Sequence, residues 1–250
     1  MFNPNRNDPN RYEAEDTRSG PVGYGWDPRA MTARPVAAVH EGFLTAAFTW
    51  MFLALIVSAA TAFLTLSNPA WLDAVANSFL LLVIAELALV IILSAAINRM
   101  SSTVAVLMLF VYAALNGATF AIILAVYSLG SVTTAFVGAA GIFGAAALYG
   151  AVTGRDLTSL GGLLFAGLIV IVIASFANIF LGGGALSFWI GIVGTVLFTG
   201  LTAYDVQRIR NGRMPWIRST ENASVIGALA LYLDFVNLFL MLLRVTGSRR

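Results

Sequence analysis

Two aspartates lie inside otherwise apolar segments of membrane length. Asp205 follows the run GLTAY, and Asp234 lies within LYLDFVNLF. A carboxylate at membrane depth is energetically expensive, so its presence indicates a functional site. Two carboxylates close together in low dielectric cannot both ionise easily, and they share a proton. The protonated pair can hydrogen-bond and close, whereas the ionised pair repels itself or attracts calcium, which takes oxygen ligands. The pattern predicts a site for a proton or a cation.

Three further polar residues are candidates for completing this site. Glu86 precedes Arg99 by thirteen residues, which places Glu86 near mid-membrane at about 1.5 Å per residue. By the same count Arg99 lies at the depth of Asp205, and Glu86 lies at the depth of Asp234. Asn237 shares a helical face with Asp234, because residues three apart are neighbours on a helix.

The depth count places a condition on the pair, and each residue has a structural alternative. The two aspartates would meet only if the last helix began later than residue 223. Asp205 could instead be a solvated carboxylate paired with Arg208. Glu86 and Asp234 could be buried hydrogen-bonding groups, and Arg99 could be an interfacial anchor whose charged end reaches water.

The composition indicates an integral membrane protein and excludes several kinds of site. Hydrophobic residues make up 59% of the 250 residues, charged residues 10%, and the mean hydropathy is +0.87. Soluble domains carry nearer a quarter charged residues. The absence of cysteine excludes disulfides and thiolate sites, and a single histidine, His40, gives no basis for a histidine-rich metal site. All 14 basic residues are arginine, so a Schiff-base lysine is excluded as well.

The apolar runs predict an all-α, polytopic fold with seven transmembrane helices. A span needs ~20 apolar residues. Residues 1–40 are polar and rich in Pro, Gly and Asn, so we expect a disordered tail there and a membrane domain at 41–250. The predicted spans are roughly 43–66, 79–98, 103–127, 132–152, 160–181, 186–207 and 223–245.

The arginines predict the orientation of these spans. Eleven of the 14 lie in the tail or in the loops after the second, fourth and sixth spans. The remaining three, Arg244, Arg249 and Arg250, are all at the C-terminus. Positive charge favours the cytoplasmic side. We therefore expect a cytoplasmic N-terminus, an external C-terminus and an odd number of spans.

Three motifs resemble those of the Bax inhibitor-1 family. The run LYLDFVNLFL with the following LLR resembles the last-helix signature of that family, and AYDVQRI around Asp205 resembles its sixth-helix signature. The run GRDLTSLG at 154–161 looks like the family's loop between the fourth and fifth spans. The resemblance covers residues 40–250 in order and spacing, and the tail lies outside it.

The resemblance implies a fold and a set of residue roles. It implies a seven-helix bundle in which the last helix is central and is wrapped by two groups of three. The family's pH-sensing aspartates map onto Asp205 and Asp234, which would also bind calcium transiently. An arginine on the second helix of the family latches the sixth-helix aspartate in the closed state. Arg99 is its nearest match here, with Ile97 and Asn98 as the alternative registers. Glu86 matches an acidic position on the family's second helix.

The function implied by the resemblance is a pH-sensitive calcium leak in a bacterial inner membrane, with lipid, protons and calcium as partners. It needs no enzymatic activity, cofactor or nucleic acid. One alternative is a non-enzymatic regulator that binds a membrane quality-control protease, with the tail as the contact. A remote alternative is an intramembrane aspartyl protease. Such enzymes carry Gly-x-Gly-Asp at the second aspartate, where this chain has LYLD.

Overall fold

The computed structural model describes residues 36–213 and 220–248, and in these parts of the chain the regular structure is helical. The tail predicted at residues 1–40 lies outside the described residues up to residue 35. Two short 3-10 turns follow the third and fifth helices, at Ile97–Arg99 and Thr158–Leu160. The eight described α-helices are α1 Val36–Ser67, α2 Pro69–Asn77, α3 Phe79–Ala96, α4 Ser102–Val126, α5 Leu129–Val152, α6 Gly161–Leu181, α7 Gly184–Arg210 and α8 Thr220–Thr246.

Seven of these helices are long and apolar enough to cross a membrane, which confirms the predicted number of spans. The spans lie at Gly42–Ser67, Phe79–Arg99, Ser102–Val126, Leu129–Val152, Thr158–Asn178, Gly184–Arg210 and Asn222–Thr246. Their ends fall within a few residues of the predicted ones, because polar and glycine-rich runs interrupt the apolar sequence at each boundary.

The short helix α2 was not predicted. The predicted spans left residues 67–78 as a connection between the first two membrane helices. In the structure the Asn68 side chain accepts hydrogen bonds from the backbone amides of Ala70 and Trp71, at 3.0 and 3.4 Å. An asparagine cap followed by proline at the first helical position favours a helix start. No residue of α2 is buried.

The last helix is central, as the resemblance implied. In the most apolar stretch of its span, two thirds of the residues (67%) are buried inside the protein. The corresponding share is 6% for the fifth span and 11% for the second. Helix α8 packs against α7, α5 and α4. Its aromatic side chains recur every three or four residues and therefore share a face. Phe235 packs edge-to-face between Phe136 and Phe143, each at 5.5 Å, and Tyr232 packs on Tyr112 at 5.8 Å.

Two glycines allow helix backbones to approach closely. A Cβ atom at Gly117 of α4 would overlap with the backbone carbonyl of Ser58 on α1. A Cβ atom at Gly150 of α5 would overlap in the same way with the backbone carbonyl of Ala203 on α7. Small residues permit such contacts between membrane helices. These two contacts hold α1 against α4 and α5 against α7.

Candidate functional site

A cavity of about 630 Å³ lies beside α6, α7 and α8, and both Asp205 and Asp234 line it. The structure therefore brings together the two carboxylates that the sequence singled out. The apolar wall of the cavity comprises Phe165, Leu168, Phe198, Leu201, Ala230 and Leu233. Its other polar lining residues are Thr158, Tyr204, Gln207, Arg208, Asn211, Arg213 and Asn237.

The buried carboxylate in this cavity is Asp234, which is 5% exposed. Its Oδ2 atom is buried and has no hydrogen-bond partner among the described residues. Leaving a buried oxygen without a partner is costly, more so when it is charged. The nearby Asn237 donates from Nδ2 to the backbone oxygen of Leu233 at 2.8 Å, and it does not supply a partner for Asp234 Oδ2. Asp234 therefore offers an oxygen that a proton or a cation could satisfy.

Asp205 lies on the last turns of α7 and forms an ion pair. Arg208 Nη1 lies 3.8 Å from Asp205 Oδ1, and the Asp205 side chain is 15% exposed. This is the pairing that the sequence allowed as a structural alternative. The ion pair does not take Asp205 out of the cavity, because Asp205 lines the same space as Asp234. Arg208 Nε also donates to the backbone oxygen of Arg213 at 3.2 Å, which ties the arginine to the end of α7.

The two carboxylates share a cavity although α8 does not begin late. The helix starts at Thr220, before the position that the depth count required. The count assumed that the carboxylates must lie at one level. The cavity is instead lined from residue 198 to 213 near α7 and from 230 to 237 on α8. Side chains several turns apart therefore open into the same space.

Two of the predicted site residues lie elsewhere. Arg99 is exposed on the turn that follows α3, and it does not line the cavity. The ion pair that the described residues give Asp205 is with Arg208. Ile97, one of the alternative registers, is buried, and its carbonyl accepts a hydrogen bond from Asn222 at 2.8 Å. Glu86 is buried where α3 packs on α4, away from the cavity lining.

Gln207 anchors the loop between α5 and α6 beside the cavity. Its Oε1 accepts a hydrogen bond from the Leu157 amide at 2.8 Å, and its Nε2 donates to the Arg155 carbonyl at 2.7 Å. Gln207 is buried, and it lies two residues after Asp205 on α7. Gln207 was not among the predicted site residues, although its place inside the AYDVQRI run was a usable signal.

A polar cluster lies at the rim of the cavity. Arg213 Nη1 donates to both oxygens of Asp156, at 2.9 and 3.0 Å, and to the Thr158 hydroxyl at 2.6 Å. Hydrogen bonds from the hydroxyl and the backbone amide of Thr158, together with those from Arg213, lower the pKa of Asp156 to about 2. Asp156 therefore stays ionised at neutral pH. Thr158 and Arg213 line the cavity, so this cluster links the loop to its polar end.

Several side-chain oxygens in the cavity could contact a cation. They include the carboxylates of Asp205 and Asp234 and the amide oxygens of Asn211 and Asn237. Calcium takes about 6–8 oxygen ligands in stable sites, so a calcium ion here would complete its ligands with water. Among the described residues there is no group of three or more His, Cys, Asp or Glu side chains that could hold a metal ion.

The sequence of the whole membrane domain is similar to that of known proteins. Residues 40–250 match the family described as "Inhibitor of apoptosis-promoting Bax1". The inner membrane protein YbhL of Escherichia coli (strain K12) is 41% identical over 230 residues, which cover 89% of this chain and 98% of that protein. A protein of Deinococcus radiodurans is 41% identical over 222 residues (88% and 96%), and protein RP147 of Rickettsia prowazekii is 35% identical over 214 (83% and 90%).

Proposed function

The chain belongs to the Bax inhibitor-1 family of membrane proteins, and on that premise we propose that it is a calcium leak controlled by protons at Asp205 and Asp234. The Escherichia coli relative is named as an inner membrane protein, which supports an inner-membrane location. The arginine distribution supports a cytoplasmic N-terminus. The proposal includes no catalytic step and no resident cofactor.

One observation carries the proposal. Asp205 and Asp234, from consecutive spans, line the same cavity, and Asp234 presents a buried oxygen without a hydrogen-bond partner. A purely structural carboxylate would have its oxygens satisfied by donors, as most buried polar groups do. An unsatisfied oxygen in a cavity that also contains a second carboxylate fits a group that gains and loses ligands.

The proposed mechanism uses the charge of the pair. When a proton is bound, one carboxyl group can donate a hydrogen bond, and the repulsion between the two carboxylates is relieved. The helices α7 and α8 can then stay packed together, which keeps the leak closed. When the proton leaves, two negative charges face each other in low dielectric, and they attract calcium from the polar end of the cavity. Arg208, 3.8 Å from Asp205, offsets part of that charge and so limits how tightly a cation is held.

The test is calcium flux into proteoliposomes at about pH 6 and about pH 8, on either side of neutrality where a shared proton is exchanged. Wild-type protein is expected to leak calcium faster at the higher pH. Asp205→Asn and Asp234→Asn should each change the flux and weaken its pH dependence. Asp73→Asn is the matched control, because Asp73 is an exposed carboxylate on α2 and does not line the cavity. The proposal fails if both cavity variants leak as the wild type does at both pH values.

A further inference from the structure

A second buried carboxyl group, Glu86, lies at the end of a hydrogen-bonded chain that crosses four helices. Glu86 Oε1 accepts from the Thr119 hydroxyl at 2.5 Å, and Oε2 accepts from Asn116 Nδ2 at 3.0 Å. Asn116 Oδ1 accepts from the Tyr232 hydroxyl at 3.0 Å. The Tyr232 hydroxyl in turn lies 2.7 Å from Ser58 Oγ. All five side chains are buried, so contact with solvent does not account for these polar groups.

This hydrogen-bonded chain meets α8 on a different face from the one that lines the cavity. Tyr232 and Asp234 are two residues apart, which is about 200° around a helix. None of its five residues lines the cavity. The titratable groups that the neighbouring helices turn toward Glu86 are Tyr112 of α4 and Tyr232 of α8. The described residues give Glu86 no ion pair. Arg244, in the last turn of α8, has its electrostatic interaction with Tyr127.

The directions of the hydrogen bonds fit an ionised Glu86. Both carboxylate oxygens accept, one from Thr119 and one from Asn116. Since the Tyr232 proton goes to Asn116, the Tyr232 oxygen can accept from the Ser58 hydroxyl in this state, in competition with the backbone oxygens of Ala54 and Ala113, which lie 3.1 and 2.7 Å from Ser58 Oγ. The donors therefore run in one direction, from Ser58 through Tyr232 and Asn116 to Glu86.

The same atoms also accommodate a protonated Glu86 if the chain reverses. Rotation of the Asn116 amide by half a turn presents Oδ1 to the new Glu86 hydroxyl and Nδ2 to the Tyr232 oxygen. Tyr232 then donates to Ser58. Ser58 donates in turn to the Ala113 backbone oxygen, which already lies 2.7 Å from Ser58 Oγ. Each hydrogen named has an acceptor in both states, and the added proton is the only atom gained.

From this geometry we propose that Glu86 is a second proton-binding site, and that proton binding reverses the hydrogen-bonded chain through Asn116 and Tyr232 to Ser58. The reversal would connect α3, where the proton binds, to the central helix α8 and to α1. The reversal would take place at the face of α8 that is opposite to Asp234. The inference stands independently of calcium flux, because its readout is the state of the carboxyl group and of the tyrosine.

The experiment is infrared difference spectroscopy of the full-length protein carrying Asp205→Asn and Asp234→Asn. The pH is varied from about 5 to about 9, the range in which a buried glutamate titrates. A carboxylic acid band should appear as the pH falls and should be lost when Glu86→Gln is added. A tyrosine C–O band should change at the same pH, and Tyr232→Phe should remove that change while the ring can still pack on Tyr112.

A variant that keeps the carboxyl group gives an independent arm. Thr119→Val removes a donor to the ionised form, and hydrogen bonds to charged groups are among the stronger ones. The midpoint of the band should therefore move to higher pH by about one to two units, which is a roughly 10- to 100-fold change in proton affinity. Thr119→Ser, which keeps the hydroxyl, should restore it. An acid band that survives Glu86→Gln, no titrating band at all, or an unchanged tyrosine band would each overturn the proposal.

Discussion

The anchoring of the loop beside the cavity gives the prediction with the clearest magnitude. Gln207→Met keeps a similar length and volume and removes both side-chain hydrogen bonds. The Leu157 amide would be left buried without an acceptor, because its bond to Gln207 is buried. The Arg155 carbonyl would lose its donor too, but Arg155 is exposed and water can replace that donor.

The expected cost follows from these two environments. A buried donor left without a partner costs about 1–3 kcal/mol, and an ordinary hydrogen bond replaced by water costs about 0.5–1.5 kcal/mol. The loop is therefore destabilised by about 1.5–4.5 kcal/mol relative to its opened state. Since about 1.4 kcal/mol corresponds to a factor of ten, the opened population should rise by at least about tenfold and by up to about 1,600-fold.

Hydrogen–deuterium exchange of peptides that cover residues 153–160 measures this opening directly, because local opening limits the exchange of protected amides. Thr199→Val is the matched control on α7. The Thr199 hydroxyl bonds only to the Thr195 carbonyl of the same helix among the described contacts, at 2.7 Å. Exchange at 153–160 should rise in Gln207→Met and stay unchanged in Thr199→Val. If Gln207→Met exchanged within about twofold of the wild type, the anchoring role would be refuted, since even about 1.5 kcal/mol predicts a roughly tenfold change.

Three further predictions concern the rim, the helix contacts and the tail. Because the pKa of Asp156 is lowered from 3.8 to about 2, its stabilising effect is present above the ordinary value and is lost as the pH falls through about 2. Asp156→Asn should therefore lower the melting temperature equally at about pH 6 and about pH 8, and a loss that varied between them would contradict the assignment. Gly117→Ala should destabilise the protein by about 1–3 kcal/mol through its overlap with the Ser58 backbone. Gly144→Ala, where a Cβ meets nothing within 4 Å, should not lower the melting temperature; equal losses in both variants would be inconsistent with the close contact. Deleting residues 1–40 should leave calcium flux intact in proteoliposomes but abolish binding to any protein that uses the tail, and a loss of flux would assign the tail to the leak itself.

Much of the fold was predictable because its main determinant is local. Seven apolar runs separated by polar or glycine-rich segments predict seven spans, and a span cannot shift far without placing polar groups in lipid. Helix α2 escaped prediction because Asn68 and Pro69 both interrupt one helix and begin another. Only the hydrogen bonds from the next two amides to Asn68 distinguish these roles.

The candidate site was predictable only in part. Asp205 and Asp234 were identified because charges in lipid are costly. The sequence could not show which side of α8 each neighbour occupies. A depth count places Glu86 and Asp234 at one level but carries no information about direction around the helix. In the structure Glu86 is linked through Asn116 to Tyr232, and not to Asp234. The Asn116 and Thr119 partners were foreseeable as a pair, since residues three apart share a helical face.

The hydrogen-bond partners of Gln207 and of the rim cluster required the structure. Glutamine, threonine and arginine are common near helix ends, and nothing in their type distinguishes them. Their function depends on the path of the loop between α5 and α6, which brings Leu157 to Gln207 and Asp156 to Arg213. The sequence separations of these contacts, 50 and 57 residues, are beyond the reach of local patterns.

The central claim is that protons and calcium compete for Asp205 and Asp234. The most direct test is the rate of calcium entry into wild-type proteoliposomes, measured as a function of pH at several calcium concentrations. If the two ions compete, linkage requires each to weaken the binding of the other. A tenfold rise in calcium should then move the pH of half-maximal flux downward, by up to about one unit if one proton is displaced per ion. A half-maximal pH that is independent of calcium concentration would contradict the claim.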